Sequence, residues 1–401
     1  MLLSNFEILK LHLIILRPSS APLIRRKEMQ FHSHTPSPRK IDSSTKSFLA
    51  KYQDLCRHYN LFPLSKVKCY LHENVLDLAA DRIRFDDWKP LLEALQCDQG
   101  LQKIVIRSNY KGKVIETAST KEKVAHIRKC PVIFTAYGLS KLTEALLKCL
   151  CLNNCLVYLE LQGIPLTLRH LDILLEGISR SKTLKQLSFI KIPLGDMGTG
   201  RICRALHKHP NVSSLNFTAC GLTSAGVGNI ANVIKAQRIQ RFVEIWQQSL
   251  RYQRPNLDSM MGLRQITLNY NPLIGDEGLK LLLEGLEDDL WITGIEMNGC
   301  GIGIHGAMGL ISFLKNGYAI SVIDIRGNKN VPVHLIQHIM LLLAKKTTHY
   351  RSEYQWDSLP TTCQQPLKMP LFLSGAPEKT IHQQEATGRK DFKHNITTDK
   401  T

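Results

Sequence analysis

Three cysteines that lie close together, Cys149, Cys151 and Cys155, are the first residues of this chain that could do chemistry. Cysteine thiolates bind zinc, and a structural zinc site usually takes four ligands, often from two Cys-x-x-Cys pairs. No second pair of that spacing accompanies these three residues. The spacing therefore predicts no metal site, and the eleven cysteines are better explained as reduced thiols of a cytosolic or nuclear protein.

Paired histidines and paired acids are the other candidates for metal binding or acid–base catalysis. His207 and His209 are two residues apart, so their side chains diverge at the end of a predicted helix. The aspartate pairs at 86–87 and 288–289 are typical of helix starts and loops. We therefore assign neither a metal ligand nor a catalytic acid or base to these groups.

Two glycine-containing turns, at 195–198 and 275–278, resemble phosphate-binding loops only in their glycines. A phosphate-binding loop needs a Lys-Ser or Lys-Thr pair after the glycines, and neither turn has one. The sequence thus predicts no catalytic residue and no cofactor, and we expect a protein that is not an enzyme.

The elements that position these residues come from one apolar pattern repeated along the chain. Each copy has apolar residues at relative positions 1, 4, 6, 9 and 11, with Asn or Cys allowed at position 9, and successive copies begin 28, 28, 51, 29 and 28 residues apart. This is the leucine-rich-repeat pattern, which predicts a solenoid. The copies begin at Leu156, Leu184, Val212, Leu263, Ile292 and Ile320.

Each copy predicts a strand followed by a helix. Positions 4 and 6 alternate with polar residues, as in a strand with one buried face. Asp196 and Asp276 occupy positions suited to helix N-caps, and Cys220 and Cys300, at position 9, are expected to be buried structural thiols. The expected fold is an α/β solenoid of the ribonuclease-inhibitor-like type, with a curved parallel sheet inside and helices outside.

The domain boundaries follow from where this pattern begins and ends. Composition predicts disorder at both ends, because Ser, Thr, Pro, Gln and Lys dominate there. Before Leu156 we expect a strand at 101–109 and an irregular extra unit around 131–150. The predicted order is a disordered N-terminus at 1–44, a helical cap at 45–100, the solenoid at 101–346 with an insertion at 235–262, and a disordered tail at 347–401.

Charge and hydropathy limit the partners and the location. A net charge of +18 favours acidic partners, although basic residues spread over solvated helix faces explain it equally well. No run of 18 apolar residues exists, so no membrane insertion is predicted. The apolar start, 1–16, is interrupted by Lys10 and His12 and is not interpreted as a signal peptide.

The insertion at 235–262 is the one place where the period fails. Ile239, Phe242, Trp246 and Leu250 recur at helical spacing, so the pattern predicts a helix with one apolar face and a basic face opposite. We weigh three explanations: a longer outer helix packed on the next repeat, a partner-binding element, and a degenerate extra repeat. The candidate partner-binding residues here are Arg238, Arg241, Trp246, Arg251 and Arg254.

The inner surface of the predicted sheet is the second candidate binding surface. Positions 3, 5 and 7 of each copy point there and are mostly neutral and polar, which suits protein recognition and does not suit nucleic acid. A solvated sheet without a partner is the alternative. The candidate residues are Tyr158, Glu160, Gln162, Asn216, Thr218, Thr267, Asn269, Glu296, Asn298, Asp324 and Arg326.

Several segments resemble one known family. The segments 248–276, 287–291, 78–92 and 352–356 closely resemble the family of the centrosomal protein of 78 kDa, and the resemblance covers roughly residues 45–356. Residues 1–40 do not resemble the start of that family, and its long C-terminal region, with a coiled coil, has no counterpart in this chain. The chain thus resembles a short form of the family.

The resemblance implies a non-enzymatic scaffold at the centrosome, centriole and ciliary basal body. It implies a role in cilium biogenesis and centriole regulation, with centriolar proteins, a polo-like kinase and a ubiquitin ligase complex as partners. A regulatory adaptor or inhibitor of a centrosomal ubiquitin ligase is the alternative. A binder of the innate-immune or ribonuclease-inhibitor type is a third possibility, which rests on fold analogy alone.

Overall fold

A single parallel sheet organises the computed structural model, which describes residues 47–68, 74–125, 130–251, 259–316 and 320–347. Within these residues, eight strands pair in the order of the chain. They are β1 Val75–Ala79, β2 Lys103–Arg107, β3 Tyr158–Gln162, β4 Gln186–Ile190, β5 Ser214–Asn216, β6 Gln265–Thr267, β7 Gly294–Glu296 and β8 Val322–Asp324.

Helices connect the strands and pack against one another in chain order on the outer side. The N-terminal ones are α1 Phe48–His58, α2 Ser65–Lys68, α3 Phe85–Gln96 and α4 Lys121–Ala125. The later ones are α5 Ala136–Leu152, α6 Leu168–Arg180, α7 Gly195–Lys208, α8 Ser224–Leu250, α9 Gly275–Leu286, α10 Ile304–Lys315 and α11 Val333–Thr347. Short 3₁₀ turns occur at Ala80–Arg82 and Val132–Phe134. Within the described ranges, no helix is both long enough and apolar enough to cross a membrane.

The predicted strand pattern is confirmed by the burial of its apolar positions. Leu159 and Leu161 of β3 pair in register with Leu187 and Phe189 of β4, and all four side chains are almost completely buried. Because alternate residues of a strand face opposite sides, these side chains fill the space between sheet and helices. Stacking of neighbouring units thus produces one continuous core, which a single unit could not form.

Asparagine at position 9 bonds to the backbone of neighbouring strands and turns. The Asn271 Nδ2 donates to the carbonyl oxygens of Phe217 and Leu268, each at 2.8 Å, and its Oδ1 accepts from the amides of Cys220 at 3.0 Å and Leu222 at 3.1 Å. One buried side chain therefore satisfies backbone groups of two successive units.

Cysteine at position 9 makes weaker hydrogen bonds to the backbone than asparagine does. The Cys220 thiol donates to the carbonyl of Phe189 at 3.2 Å, and the Cys300 thiol donates to that of Leu268 at 3.1 Å. Burial raises the pKa of both thiols to about 12. These cysteines are structural, as predicted, because the thiolate form needed for reaction is suppressed.

The prediction that Asp196 and Asp276 are helix N-caps is wrong. Helices α7 and α9 begin one residue earlier, at Gly195 and Gly275, and the carboxylates instead bond to the next repeat. Asp196 accepts from the Thr223 amide at 2.9 Å and hydroxyl at 2.7 Å, whereas Asp276 accepts from the amide of Gly303 at 2.6 Å. Each aspartate thus links two successive units at the start of their helices.

The solenoid begins earlier than predicted. Strand β1 lies inside the segment 45–100 that was expected to form a purely helical cap, and its five residues pair with β2. The helical part of that prediction agrees with α1 and α3, which pack on each other. The buried residues of this strand are Leu76 and Leu78, which alternate with less buried residues.

The irregular extra unit expected around 131–150 is not a separate repeat. Strand β2 pairs directly with β3, so no strand lies between them in the described residues. The predicted helix is present as α5, but it belongs to the unit of β2 and is reached through a long loop that includes α4. A long connection therefore explains the 55-residue interval between the two strand patterns.

The insertion lengthens one unit and adds no repeat. Strand β5 pairs directly with β6, which excludes a degenerate extra strand between them in the described part of the chain. Helix α8 absorbs the extra residues and reaches 27 residues, against 14 in α7 and 12 in α9. Helix α11 packs at the C-terminal side of the solenoid and buries Ile339 and Leu343. The predicted disordered segments, apart from Thr347, lie outside the described residues.

Candidate protein-binding surface

The inner face of the sheet is a set of three rows of side chains that run across all eight strands. Strand register places Glu160, Ser188, Asn216, Thr267 and Glu296 side by side in the middle row. These middle residues are buried, because the rows on either side cover them. From β3 to β7, the partly accessible residues of the face therefore lie in the two outer rows.

Only part of the predicted inner-face set can reach a partner. Glu160, Asn216, Thr267, Asn269, Glu296 and Asp324 are each at most 8% exposed, so they support neighbouring side chains. Tyr158, Gln162, Thr218, Asn298 and Arg326 are half-buried or exposed and can contact another protein. Sequence periodicity gave the correct face, but it could not separate these two groups because both have the same alternation.

One group of charges lies near the N-terminal edge of this face. Arg107 forms ion pairs with Asp77 at 3.1 Å and Glu160 at 3.4 Å, and it spans the strands on either side of its own. The Tyr158 hydroxyl donates to Glu160 at 2.5 Å, and the ammonium of Lys103 lies 4.3 Å from the Tyr158 ring centroid. The charges of this edge are thus largely paired with one another.

A second group of charges lies at the C-terminal edge. Arg326 donates to Asp324 through Nε at 2.8 Å and Nη2 at 2.7 Å, and Asn298 donates to the same carboxylate at 3.1 Å. Burial opposes ionisation of Asp324, but these hydrogen bonds outweigh it and hold its pKa below the ordinary range. Glu296 accepts from Asn269 at 2.9 Å and is completely buried.

Uncharged polar residues occupy the middle of the face, between the two charged edges. The Asn216 Oδ1 accepts from the amide of Thr218 at 2.9 Å and from its hydroxyl at 2.7 Å, which fixes both side chains. Gln186 and Gln265 flank them as half-buried amides. Such a surface offers hydrogen bonds without strong charge, which suits recognition of a protein and lacks the cations that nucleic acid requires.

The predicted orientation of the insertion helix is wrong. Arg241, expected on an exposed basic face, is only 3% exposed, whereas Ile239, Trp246 and Leu250, expected to form the packed face, are exposed. Phe242 alone of the predicted apolar face is buried. Burial of Arg241 is possible because its guanidinium satisfies backbone carbonyls and lies beside a buried carboxylate.

The other insertion candidates lie in different environments. Arg238 is partly buried and donates to the backbone carbonyl of Glu287, whereas Arg251 is exposed at the end of α8. Arg254 lies outside the described residues. Arg238, Trp246 and Arg251 are therefore the members of this set that the structure places within reach of a partner.

A small second core fixes the insertion helix in place. Phe242 and Ile245 pack with Met260 and Trp291, and the Phe242 and Trp291 rings meet edge to face at 5.4 Å. Arg241 donates to the carbonyl oxygens of Met261 at 2.8 Å and Leu263 at 3.0 Å. The returning loop is thereby held against α8 by both apolar and polar contacts.

Asp289 is the buried partner of Arg241, and sequence reasoning assigned it only to a loop. The two charged groups lie 3.9 Å apart, and Asp289 accepts from the amides of Trp291 and Ile292 at 2.8 and 2.7 Å. Burial lowers the pKa of Arg241 to about 10 and raises that of Asp289, since both charges lose water. The pair is structural, and its only sequence signal was an acid next to an apolar tryptophan.

The residues considered first for chemistry do not converge. Cys149 is buried in α5, where burial raises its thiol pKa, whereas Cys151 is exposed and Cys155 lies in the following loop. His207 and His209 are exposed at the end of α7. No group of three or more His, Cys, Asp or Glu side chains in the described ranges is arranged to hold a metal ion.

The fold and this surface define a leucine-rich-repeat protein. A search against family models gives no match. The mouse ribonuclease inhibitor is 31% identical over 113 residues, which is 28% of this chain and 20% of that protein. This similarity agrees with the predicted ribonuclease-inhibitor-like solenoid, and the parallel sheet with outer helices confirms it.

Longer similarities give the family. The human centrosomal protein of 78 kDa is 36% identical over 318 residues, which is 79% of this chain and 46% of that protein. Its mouse counterpart is 34% identical over 344 residues, which is 85% of this chain and 42% of that protein. The chain belongs to the centrosomal protein of 78 kDa family, which confirms the resemblance and the predicted centrosomal assignment at the level of the family.

The chain spans less than half the length of these two relatives. Activities and partners of the whole relatives are therefore a matter for proposal in this chain.

Proposed function

We propose that this chain is a non-enzymatic scaffold at the centrosome, the centriole and the ciliary basal body. It acts in cilium biogenesis and centriole regulation by binding other proteins through its repeat solenoid. The observation that carries the proposal is the 36% identity to a centrosomal protein over 79% of the chain. The neutral, hydrogen-bonding centre of the inner face supports binding of a protein and not of nucleic acid.

Centriolar proteins are the proposed partners of the inner face. The accessible residues Tyr158, Gln162 and Thr218 line its N-terminal and central parts, and Asn298 and Arg326 line its C-terminal part. Tyr158, Thr218, Asn298 and Arg326 are hydrogen-bonded to the buried residues Glu160, Asn216 and Asp324, so these side chains are ordered before the face binds. A preformed surface loses little conformational entropy on association, which favours specific binding.

Localisation of the tagged chain tests this proposal. Expressed at its native level, the chain is expected to co-localise with a centriole marker, and the same chain lacking residues 235–262 shows whether the insertion is needed. A diffuse cytosolic signal for the full chain would reject centrosomal scaffolding by this chain.

A polo-like kinase and a ubiquitin ligase complex are the specific partners we propose within this function. The chain then serves either as a scaffold or, in the alternative, as a regulatory adaptor or inhibitor of a centrosomal ubiquitin ligase. Affinity purification with mass spectrometry separates the two roles. Recovery of ligase subunits with the chain supports the adaptor role, and recovery of centriolar proteins without ligase subunits supports the scaffold role alone.

A further inference from the structure

An exposed apolar stripe runs along the insertion part of helix α8. Ile239, Val243, Trp246 and Leu250 are 51%, 48%, 52% and 61% exposed, although all four are large hydrophobic residues. Their spacings of four, three and four residues place them in one line on a helix with 3.6 residues per turn. The same spacing forms the contact seam of two paired helices in a coiled coil.

The opposite side of the helix is fixed to the rest of the protein. Phe242 and Ile245 are buried in the small second core, and Gln237 accepts from the amide of Leu263 at 2.9 Å. Arg241 is bonded to the returning loop and lies beside Asp289. The stripe is therefore held on a rigid helix, so a partner need not order it upon binding.

The repeat architecture does not need this extension. Strand β5 pairs with β6 through three residue pairs, as β6 does with β7, and the helices on either side of α8 are only 14 and 12 residues long. At 1.5 Å per residue, α8 is roughly 20 Å longer than these neighbours. The extension thus adds a surface without adding to the sheet.

The charges beside the stripe indicate the kind of partner. On a helical projection with 100° per residue, Lys235 lies roughly 50° from the centre of the stripe, and Arg238 and Arg251 lie roughly 110° from it on opposite sides. Glu244 is the single acidic residue between 235 and 251 and lies roughly 130° from that centre, beyond Arg251 on the same side. The charge of Arg241 does not contribute to this surface, because its side chain is buried beside Asp289.

We propose that Ile239, Val243, Trp246 and Leu250 form a docking surface for an amphipathic helix of another protein, whose apolar seam is flanked by acidic residues. The four residues supply the apolar contacts, with Trp246 as the anchor, since tryptophan is enriched among residues that dominate binding. Lys235, Arg238 and Arg251 supply the charge preference. This surface is separate from the inner face of the sheet and does not depend on the function proposed for it.

A second copy of the chain fits this surface less well than an acidic helix. Two copies paired through the stripe would bring basic flanks together, which like-charge repulsion disfavours. Residues 1–16 carry Leu2, Phe6, Leu9 and Leu13 at the same spacing, but their single acid and single lysine give no acidic flank. Both occupants are outcomes that the following experiment distinguishes.

A designed acidic helix tests the proposal. The probe is a fluorescein-labelled peptide of about three heptads with Leu at positions a and d and Glu at e and g, which disfavours its own dimerisation. Its matched control has Lys at e and g. Fluorescence anisotropy with the full chain is expected to show binding of the acidic peptide and at least about tenfold weaker binding of the basic one.

Two variants locate the binding. Trp246→Ala is expected to weaken binding of the acidic peptide at least about tenfold. Met197→Ala, at an exposed methionine on α7, is expected to leave that affinity unchanged. The combined change Lys235→Glu and Arg251→Glu is expected to reverse the preference toward the basic peptide. Unchanged thermal unfolding of each variant confirms that the fold is intact.

Four results overturn the proposal. Equal binding of the acidic and basic peptides shows apolar binding without charge recognition. If Trp246→Ala binds the acidic peptide as tightly as the unchanged chain does, the peptide binds elsewhere. A concentration-dependent dimer in sedimentation that Trp246→Ala abolishes shows that a second copy occupies the stripe. Binding of the acidic peptide only after deletion of residues 1–16 shows that this segment of the chain itself covers it.

Discussion

At the scale of single residues, buried polar side chains connect the repeats. Asn271 joins two successive strands and the turn that follows one of them, whereas Cys220 and Cys300 at the equivalent position donate one thiol hydrogen to backbone carbonyls. The asparagine has both a donor and an acceptor, whereas the thiol mainly donates. The choice of residue at position 9 thus sets how strongly a unit is tied to its neighbour.

Asn271→Ala is expected to destabilise the chain by about 2–4 kcal/mol, since it removes the side-chain partner of the buried amides of Cys220 and Leu222 and of the Phe217 carbonyl. Asn271→Cys is the matched control, because two other units use cysteine there, and it is expected to cost about half as much. Chemical denaturation followed by circular dichroism measures both. Equal losses for the two variants would show that side-chain volume, and not hydrogen bonding, matters at this position.

The Asp324–Arg326 pair predicts how acid affects the sheet edge. Because the folded pKa of Asp324 is below its unfolded value of about 4, its stabilising effect is present above that pH and is lost as pH falls through the folded pKa. In Arg326→Met, burial is no longer outweighed to the same extent, so the folded pKa rises toward the unfolded value and less stability is lost on acidification. Denaturation between pH 3 and 7 tests this, with Arg251→Met as the control for removing an exposed arginine.

At the scale of elements, successive helices are linked at their first turns. Asp276 in α9 bonds to the amide before α10, and a Cβ added at Gly306 of α10 would lie 2.4 Å from the same carboxylate oxygen. A Cβ added at Gly309, one turn later, would have no atom within 4 Å. Two glycines of one helix therefore have different roles, and only one of them is required for packing.

Gly306→Ala is expected to destabilise the chain by about 1–3 kcal/mol, because the new methyl group displaces the Asp276 carboxylate from the amide that it accepts. Gly309→Ala is expected to stabilise it by about 0.5–1 kcal/mol, because alanine favours the helix and the space is open. Thermal and denaturant unfolding of the two variants, made in the same background, give the comparison. A stabilising effect at both positions would contradict the close packing at Gly306.

At the scale of the whole molecule, the solenoid has contacts mainly between neighbours, so its stability varies along the chain. Helix α11 covers the last unit and buries Ile339 and Leu343. Loss of this cover should affect the nearest strands first, since α11 packs on α10. The terminal helix is thus expected to act as a cap for one end and not as a global clamp.

Ile339→Ala is expected to cost about 2–4 kcal/mol locally, by loss of buried apolar contact. Amide hydrogen exchange should show faster exchange in α10, α11 and β8 and unchanged exchange in β2 to β4. Leu341→Ala, at an exposed position of the same helix, is the control and is expected to change stability by less than about 0.5 kcal/mol. Uniformly faster exchange along the whole chain would contradict this neighbour-limited behaviour.

The sequence alone determined the repeat architecture, because each unit contains its own strand pattern and its own position-9 residue. Leu159, Leu187 and Leu215 are predicted at one position of successive units and are found in register and buried. A solenoid is built from contacts between adjacent units, so a local pattern is sufficient to specify it. The inner face follows from the same alternation.

Tertiary structure decided what the local pattern leaves open. Arg241 and Phe242 lie on one predicted helix, and their burial depends on Asp289 and Trp291, which come from a later unit. Asp196 and Asp276 likewise take their partners from the next repeat and not from their own helix. Helical periodicity indicates which residues share a face of a helix. The later segment of the same chain that packs on the helix decides which face is buried and which face remains exposed for binding.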